Sequence, residues 1–99
     1  MLRVTRVSGV GGDEELRAEG WIAGEYVSLL ERVGEDTWGR GARGVLDLTG
    51  VESIDDAGIA LLQRWSEGGE VVLRGASPFI RLVLAQHRMR SEEREADAS

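Results

Sequence analysis

The sequence has no cysteine and no lysine, and it contains one histidine among its 99 residues. The lack of cysteine excludes disulfides, thiolate nucleophiles and cysteine-ligated zinc. The lack of lysine excludes Schiff-base chemistry and a lysine general base. His87 falls on the inner face of a predicted helix, where a structural role is expected. We therefore predict that the protein is not an enzyme, with no catalytic residue, no metal site and no cofactor.

Positive charge and long apolar runs are also scarce. Twelve arginines stand against eighteen acidic residues, which gives a net charge of -6. Nucleic-acid binding requires a basic surface, so no nucleic-acid partner is expected. No apolar run approaches the roughly 20 residues that span a bilayer, and the N-terminal residues show no signal-peptide pattern. These features predict a cytoplasmic protein without membrane insertion.

In the first half of the chain, apolar spacing predicts two strands and a helix. Alternation over 2–7 and 14–21 predicts a hairpin with a glycine-rich turn. Helical spacing then runs over 23–33, and Gly34 is the expected stop. Residues 35–43 are predicted to form a loop, in which Trp38 covers the core from one side.

The second half alternates strands and helices. Its predicted elements are a central strand over 45–48, a loop over 49–53, a helix from Asp55 to Gly68, a strand over 70–74, and a helix with Ser77 as N-cap and Pro78 at its first position. Four residues, Ile80, Val83, Leu84 and His87, are expected on the inner face of the last helix.

This order predicts the α/β class, a small mixed four-stranded sheet with helices covering one face. Residues 1–90 are expected to form one domain. Residues 91–99 are rich in acidic residues and contain no large apolar side chain, so they are expected to form a disordered tail.

Two adjacent carboxylates, Asp55 and Asp56, open the second predicted helix. Glycosidase carboxylates lie about 5 to 9.5 Å apart across a sugar cleft, which neighbouring residues at a helix start do not frame. Acidic residues at a helix start accept backbone N–H groups and complement the helix dipole. Helix capping is therefore the expected role of this pair, and a carboxylate that caps a helix can also face a partner.

The run GVLDLTGVESIDDAGIALLQRW, residues 44–65, resembles the signature of STAS domains, the sulfate-transporter and anti-sigma-factor-antagonist fold. In phosphorylatable members the signature ends in Asp-Ser-Ser-Gly, and its first serine is the switch. Here Asp56 stands at the switch position with Ala57 beside it. The predicted element order is also that of STAS domains, and the resemblance covers residues 2–89.

The resemblance implies a regulatory protein-protein interaction module, similar to an anti-sigma factor antagonist, that cannot be phosphorylated at the usual site. Asp56 would place a fixed negative charge where a phosphoserine brings about -1.5 to -2. The implied partner is a GHKL-type anti-sigma factor kinase. The implied partner-binding residues are Ser53, Asp55, Asp56, Ala57, Gly58 and Gly24.

Two alternatives stay open. The second choice within the STAS family is a small STAS subunit of a phospholipid-transport ABC complex, bound to the ABC ATPase. A domain of another class would use the same loop to hold an anion or a nucleotide. The carboxylates of Asp55 and Asp56 argue against that class, because both would repel phosphate.

Overall fold

The computed structural model describes residues 1–8, 14–39, 44–69 and 71–93. They form four strands and three helices. In chain order these are β1 (Leu2–Ser8), β2 (Glu14–Ile22), α1 (Tyr26–Trp38), β3 (Gly44–Ile54), α2 (Asp56–Glu67), β4 (Val71–Arg74) and α3 (Pro78–Gln86).

The strands form one mixed sheet in the order β1-β2-β3-β4. β1 and β2 are antiparallel, whereas β3 runs parallel to both β2 and β4. α1 connects β2 to β3, and α2 connects β3 to β4. Such crossover helices are the usual connection between neighbouring parallel strands. The predicted fold class is confirmed. The expected turn over residues 9–13 lies outside the described residues.

One face of the sheet carries the core. Leu16 and Leu46 are paired across β2 and β3 and are fully buried. They belong to the same apolar cluster as Leu30 of α1, Leu62 of α2 and Ile80 of α3. All three helices therefore contribute to the core on a single face, and strand alternation turns the intervening side chains to the opposite face.

The first helix begins and ends later than predicted. Gly24 has a positive φ of 57°, which places it in a turn, so α1 starts at Tyr26. Gly34 does not end the helix. A Cβ on Gly34 would lie 2.7 Å from the Trp65 ring, so glycine there lets α1 approach α2. Trp38 is the last helical residue; it is buried as predicted and packs edge-on against Trp65, with ring centroids 5.1 Å apart.

The third strand is also longer than predicted, because it includes the expected loop over 49–53. Its polar composition is typical of a loop, but the segment pairs with the end of β2. Trp21 lies opposite Ser53, and Ile22 lies opposite Ile54. Two register shifts along this pairing absorb the irregularity.

The end of α3 corrects two expectations. His87 is exposed and terminates the helix, so it is not an inner-face residue, whereas Ile80 and Leu84 are fully buried as predicted. Residues 91–93 do not belong to a free tail. Glu92 forms a parallel bridge to Arg74, accepts the Gly75 N–H and donates its own N–H to the Leu73 carbonyl. Residues 94–99 of the expected tail lie outside the described residues.

Candidate functional site

The carboxylate of Asp55 joins two segments that are 31 residues apart. Oδ1 accepts the Gly58 N–H at 2.8 Å and caps the start of α2. Oδ2 accepts the Gly24 N–H at 2.8 Å and so holds the turn that precedes α1. The Asp55 N–H donates in turn to the Ile22 carbonyl at 3.1 Å. One side chain therefore fixes the turn between β2 and α1 against the start of α2.

Both residues whose N–H groups donate to Asp55 are glycines, and glycine is required at each position for a different reason. Gly24 adopts a left-handed backbone conformation, which side chains disfavour. Gly58 is buried where α2 passes close to β2, and a Cβ there would lie 2.5 Å from the Ile22 carbonyl oxygen. These two predicted site residues shape the backbone of the site, and Gly58 offers no surface of its own.

The pKa of Asp55 lies below its ordinary value. The Gly24 N–H is the main cause and the Gly58 N–H the second, because both stabilise the charged carboxylate. The residue therefore carries a full negative charge near neutral pH. Its helix-capping role, expected from the sequence, is confirmed by the Gly58 contact.

Besides Gly24, four of the predicted partner-binding residues are exposed, and they lie at neighbouring positions of the chain. Ser53 lies near the end of β3, and Asp56 and Ala57 lie in the first turn of α2. Together with the exposed Asp55, they form a surface, here called the α2-start surface. It presents two carboxylates and one hydroxyl on a backbone that the Asp55 hydrogen bonds hold in place.

Trp21 is a surface residue that the sequence reading did not include in the site. It lies in β2 directly before the buried Ile22, and 52% of it is exposed. Its indole Nε1–H donates to Glu52 Oε2 at 3.1 Å. The alternation of β2 indicated that Trp21 is exposed, because a residue adjacent to a core-facing position points to the other face of the sheet.

A metal centre receives no support from the part of the chain that the structure describes. No group of three or more histidine or carboxylate side chains is arranged there to hold an ion. An open groove of about 930 Å³ lies beside β4 and α3, and it contains both signs of charge. Two of its arginines are near acidic partners within the groove, Arg74 to Glu92 at 3.6 Å and Arg81 to Glu93 at 3.9 Å.

The fold is that of SpoIIAA-like proteins, which is the STAS or anti-sigma factor antagonist fold. A similar solved structure is the crystal structure of an uncharacterized protein from the DUF3478 family with a SpoIIAA-like fold, from Shewanella loihica PV-4. The TM-score is 0.60 at 10% sequence identity, and the match covers 97% of this chain and 87% of the other. At that identity the likeness shows the fold alone.

Scans against protein-family models and against curated proteins find no match. Within the described residues, no helix is long and apolar enough to cross a bilayer.

Proposed function

We propose that this chain is a cytoplasmic, non-enzymatic protein-protein interaction module with a regulatory role, and that it binds its partner through the α2-start surface. The exposure of Asp56 and Ala57 on a fixed helix start is the observation that supports this proposal best. The STAS fold adds support, because the STAS-like signature places the switch loop at this position.

The surface is suited to recognition rather than to chemistry. Both oxygens of Asp55 accept backbone N–H groups, so this carboxylate fixes the surface. Neither Asp56 nor Ala57 carries a hydroxyl, so a kinase cannot phosphorylate the switch position. The charge at position 56 is therefore independent of phosphorylation, and phosphorylation of the switch position does not control binding.

The partner is a protein whose contact surface tolerates or requires this charge. A GHKL-type anti-sigma factor kinase and an ABC ATPase are the two candidates. Asp56 would repel a kinase surface that is built for a neutral serine, and it would attract one that offers an arginine or a helix N-terminus. An anion or nucleotide is the less favoured ligand, because Asp55 and Asp56 are both exposed at this helix start.

Site-specific photo-crosslinking tests the location of the interface. A photoreactive amino acid at position 57 is compared with the same residue at position 85, since both alanines are exposed on helices of the same protein. We expect a discrete protein adduct from position 57 and none from position 85. Adducts of equal yield from both positions, or from neither, would contradict the proposed interface.

Charge reversal gives the second test. Asp56→Arg should abolish the adduct from position 57 if the partner recognises the negative charge. Asp56→Ser should shift affinity toward a GHKL-type kinase if the charge mimics an off state. Glu67→Arg is the matched control, because Glu67 is exposed at the opposite end of the same helix.

A further inference from the structure

Trp21 is held in place at the surface by a hydrogen bond. Its indole N–H donates to the Glu52 carboxylate, while about half of the residue remains exposed. Trp21 also donates its backbone N–H to the Met1 carbonyl at 2.9 Å, just beyond the last pair of β1 and β2, Leu2 with Gly20. The side chain is thus oriented without being buried, which reduces the entropy cost of binding to it.

The groove around Trp21 contains two carboxylates, one arginine side chain and Met1. It is shallow, with a volume of about 560 Å³, and its lining includes Glu19 and Glu52 together with Arg3. Among the described residues of that lining, Arg3 has the one positive side chain. The carboxylate of Glu52 therefore lies beside the aromatic ring of Trp21.

The groove adjoins the α2-start surface. Trp21 pairs with Ser53 across β2 and β3, and the next residue, Ile22, accepts the Asp55 N–H. Asp55 and Asp56 are exposed just beyond this pairing. A partner that covers the start of α2 would therefore meet the indole at the edge of its contact area.

We propose that Trp21 and Glu52 form an arginine-binding subsite, and that the partner of this protein inserts an arginine side chain there. The proposal rests on the proposed interaction function and specifies the chemistry of the partner. The guanidinium stacks on the exposed indole face and pairs with Glu52, while the neighbouring aspartates add to the attraction.

Two physical features make arginine the fitting occupant. A guanidinium is planar, remains charged and stacks on aromatic faces, and tryptophan is the best aromatic acceptor for a cation. Aromatic residues and arginine are also the commonest energetic centres of protein interfaces. The hydrogen bond from the indole N–H to Glu52 uses the ring edge and not the ring face, and it positions a carboxylate beside the half-exposed residue.

The direct test is an NMR titration with N-acetyl-arginine amide at constant ionic strength. The protein has three tryptophans, so three indole N–H signals are observed together. We expect the Trp21 signal to move, whereas the signals of the buried Trp38 and Trp65 stay fixed. N-acetyl-citrulline amide, which has the same shape without the charge, should leave all three signals unmoved.

Variants separate the subsite from general electrostatic attraction. Glu52→Gln should weaken the arginine response of Trp21, whereas Glu67→Gln removes one exposed carboxylate elsewhere and should leave it unchanged. Arg3→Gln should strengthen the response, because it removes the positive side chain that lines the groove. An immobile Trp21 signal, an equal response to citrulline, or an equal effect of both glutamine variants would overturn the proposal.

The partner identified by crosslinking gives the final comparison. Trp21→Ala should weaken its binding by about fivefold to thirtyfold, the range expected for a cation–aromatic contact that loses water on binding. Phe79→Ala removes another exposed aromatic, which is 63% exposed on α3, and should leave affinity unchanged.

The two proposals can fail separately. Unchanged affinity for Trp21→Ala, with the adduct from position 57 intact, would overturn the arginine subsite and leave the interaction function standing. A Trp21 response to arginine amide without any adduct from position 57 would support the subsite and reject the proposed interface.

Discussion

α2 and α3 both begin with a side-chain N-cap, but the two capping residues make different numbers of contacts. Asp55 and Ser77 are both N-cap residues, and each accepts the backbone N–H three residues later, from Gly58 at 2.8 Å and from Ile80 at 3.2 Å. The serine has one oxygen, which serves its own helix. The aspartate has two, and the second reaches Gly24 in another part of the chain.

The residues that donate to these caps differ just as clearly. Ile80 is fully buried and fills the core, whereas Gly58 leaves room for the carbonyl of Ile22. The start of α3 is therefore stabilised mainly by apolar packing. The start of α2 combines the buried Ile59 with polar contacts at close backbone approach, and its outward residues Asp56 and Ala57 are exposed.

The largest predicted effect is on the packed helix start. Ile80→Ala should lower the free energy of unfolding by about 2 to 5 kcal/mol, because it leaves a cavity in the core. Urea denaturation measures the change, and Phe79→Ala at the exposed neighbouring position should cost under about 1 kcal/mol. A loss below about 1 kcal/mol for Ile80→Ala would mean that this residue does not pack as the structure shows.

A substitution at the equivalent position of α2, Gly58, should also destabilise the protein, because it overpacks the contact between α2 and β2. Gly58→Ala places a methyl group against the Ile22 carbonyl and should cost about 1 to 3 kcal/mol. At an uncrowded helix position, alanine is more stable than glycine by about 1 kcal/mol. A loss of stability at position 58 would therefore show that steric crowding outweighs helix propensity. Ala57→Gly at the exposed neighbouring position measures that propensity alone. Stabilisation by Gly58→Ala would show that α2 can move away from β2.

The two caps should differ when each is removed. Ser77→Ala should cost about 1 kcal/mol, as for an ordinary cap, and Asp55→Ala about 2 kcal/mol, because Gly24 also loses its acceptor. Chemical denaturation at neutral pH gives both values. Equal losses would mean that the contact with Gly24 adds nothing to stability.

The pH dependence separates the caps further. Hydrogen bonds from Gly24 and Gly58 hold the pKa of Asp55 below its ordinary value. The carboxylate therefore stabilises the fold above about pH 4, and this contribution is lost as the pH falls through the lowered pKa. Asp55→Asn should flatten the acid side of the stability curve, whereas Ser77→Ala should shift the curve without changing its shape.

The smallest predicted effect concerns the helix ends. Both α2 and α3 are followed by a residue in the left-handed backbone conformation. After α2 this residue is Gly69, with φ of 70°, and after α3 it is Arg88, with φ of 60°. Arg88→Gly should therefore stabilise the protein by up to about 1 kcal/mol, since glycine adopts this conformation without steric cost. Arg90→Gly is the control, and thermal unfolding should show a gain for position 88 alone.

Much of the architecture was predictable because local signals agreed with the tertiary structure. Ser77 and Pro78 marked the start of α3, and the adjacent Asp55 and Asp56 marked the start of α2. The errors arose where packing overrides local preference. Gly34 is typical of a helix stop, yet it lies inside α1 because Trp65 needs the space. The segment 49–53 is typical of a loop, yet pairing with β2 makes it a strand.

The candidate site was predictable in composition but not in geometry. The STAS-like signature indicated positions 53–58, and Gly24 entered through the same resemblance. The bond that joins Gly24 to Asp55 depends on how two distant segments meet, which no local pattern encodes. Trp21 was identifiable from strand alternation, but its contact with Glu52 depends on the irregular register between β2 and β3.

Hydrogen bonds to other segments hold the last residue of α1 and the turn that precedes its first residue. In the turn Asp55 holds Gly24, and at the last residue the Trp38 indole N–H donates to the Glu14 carbonyl at 2.9 Å. Displacing Trp38 from the last turn of α1 breaks its bond to Glu14, and the turn before the helix is fixed by Asp55. The amide protons of α1 should therefore exchange with solvent in one cooperative opening rather than progressively from the ends.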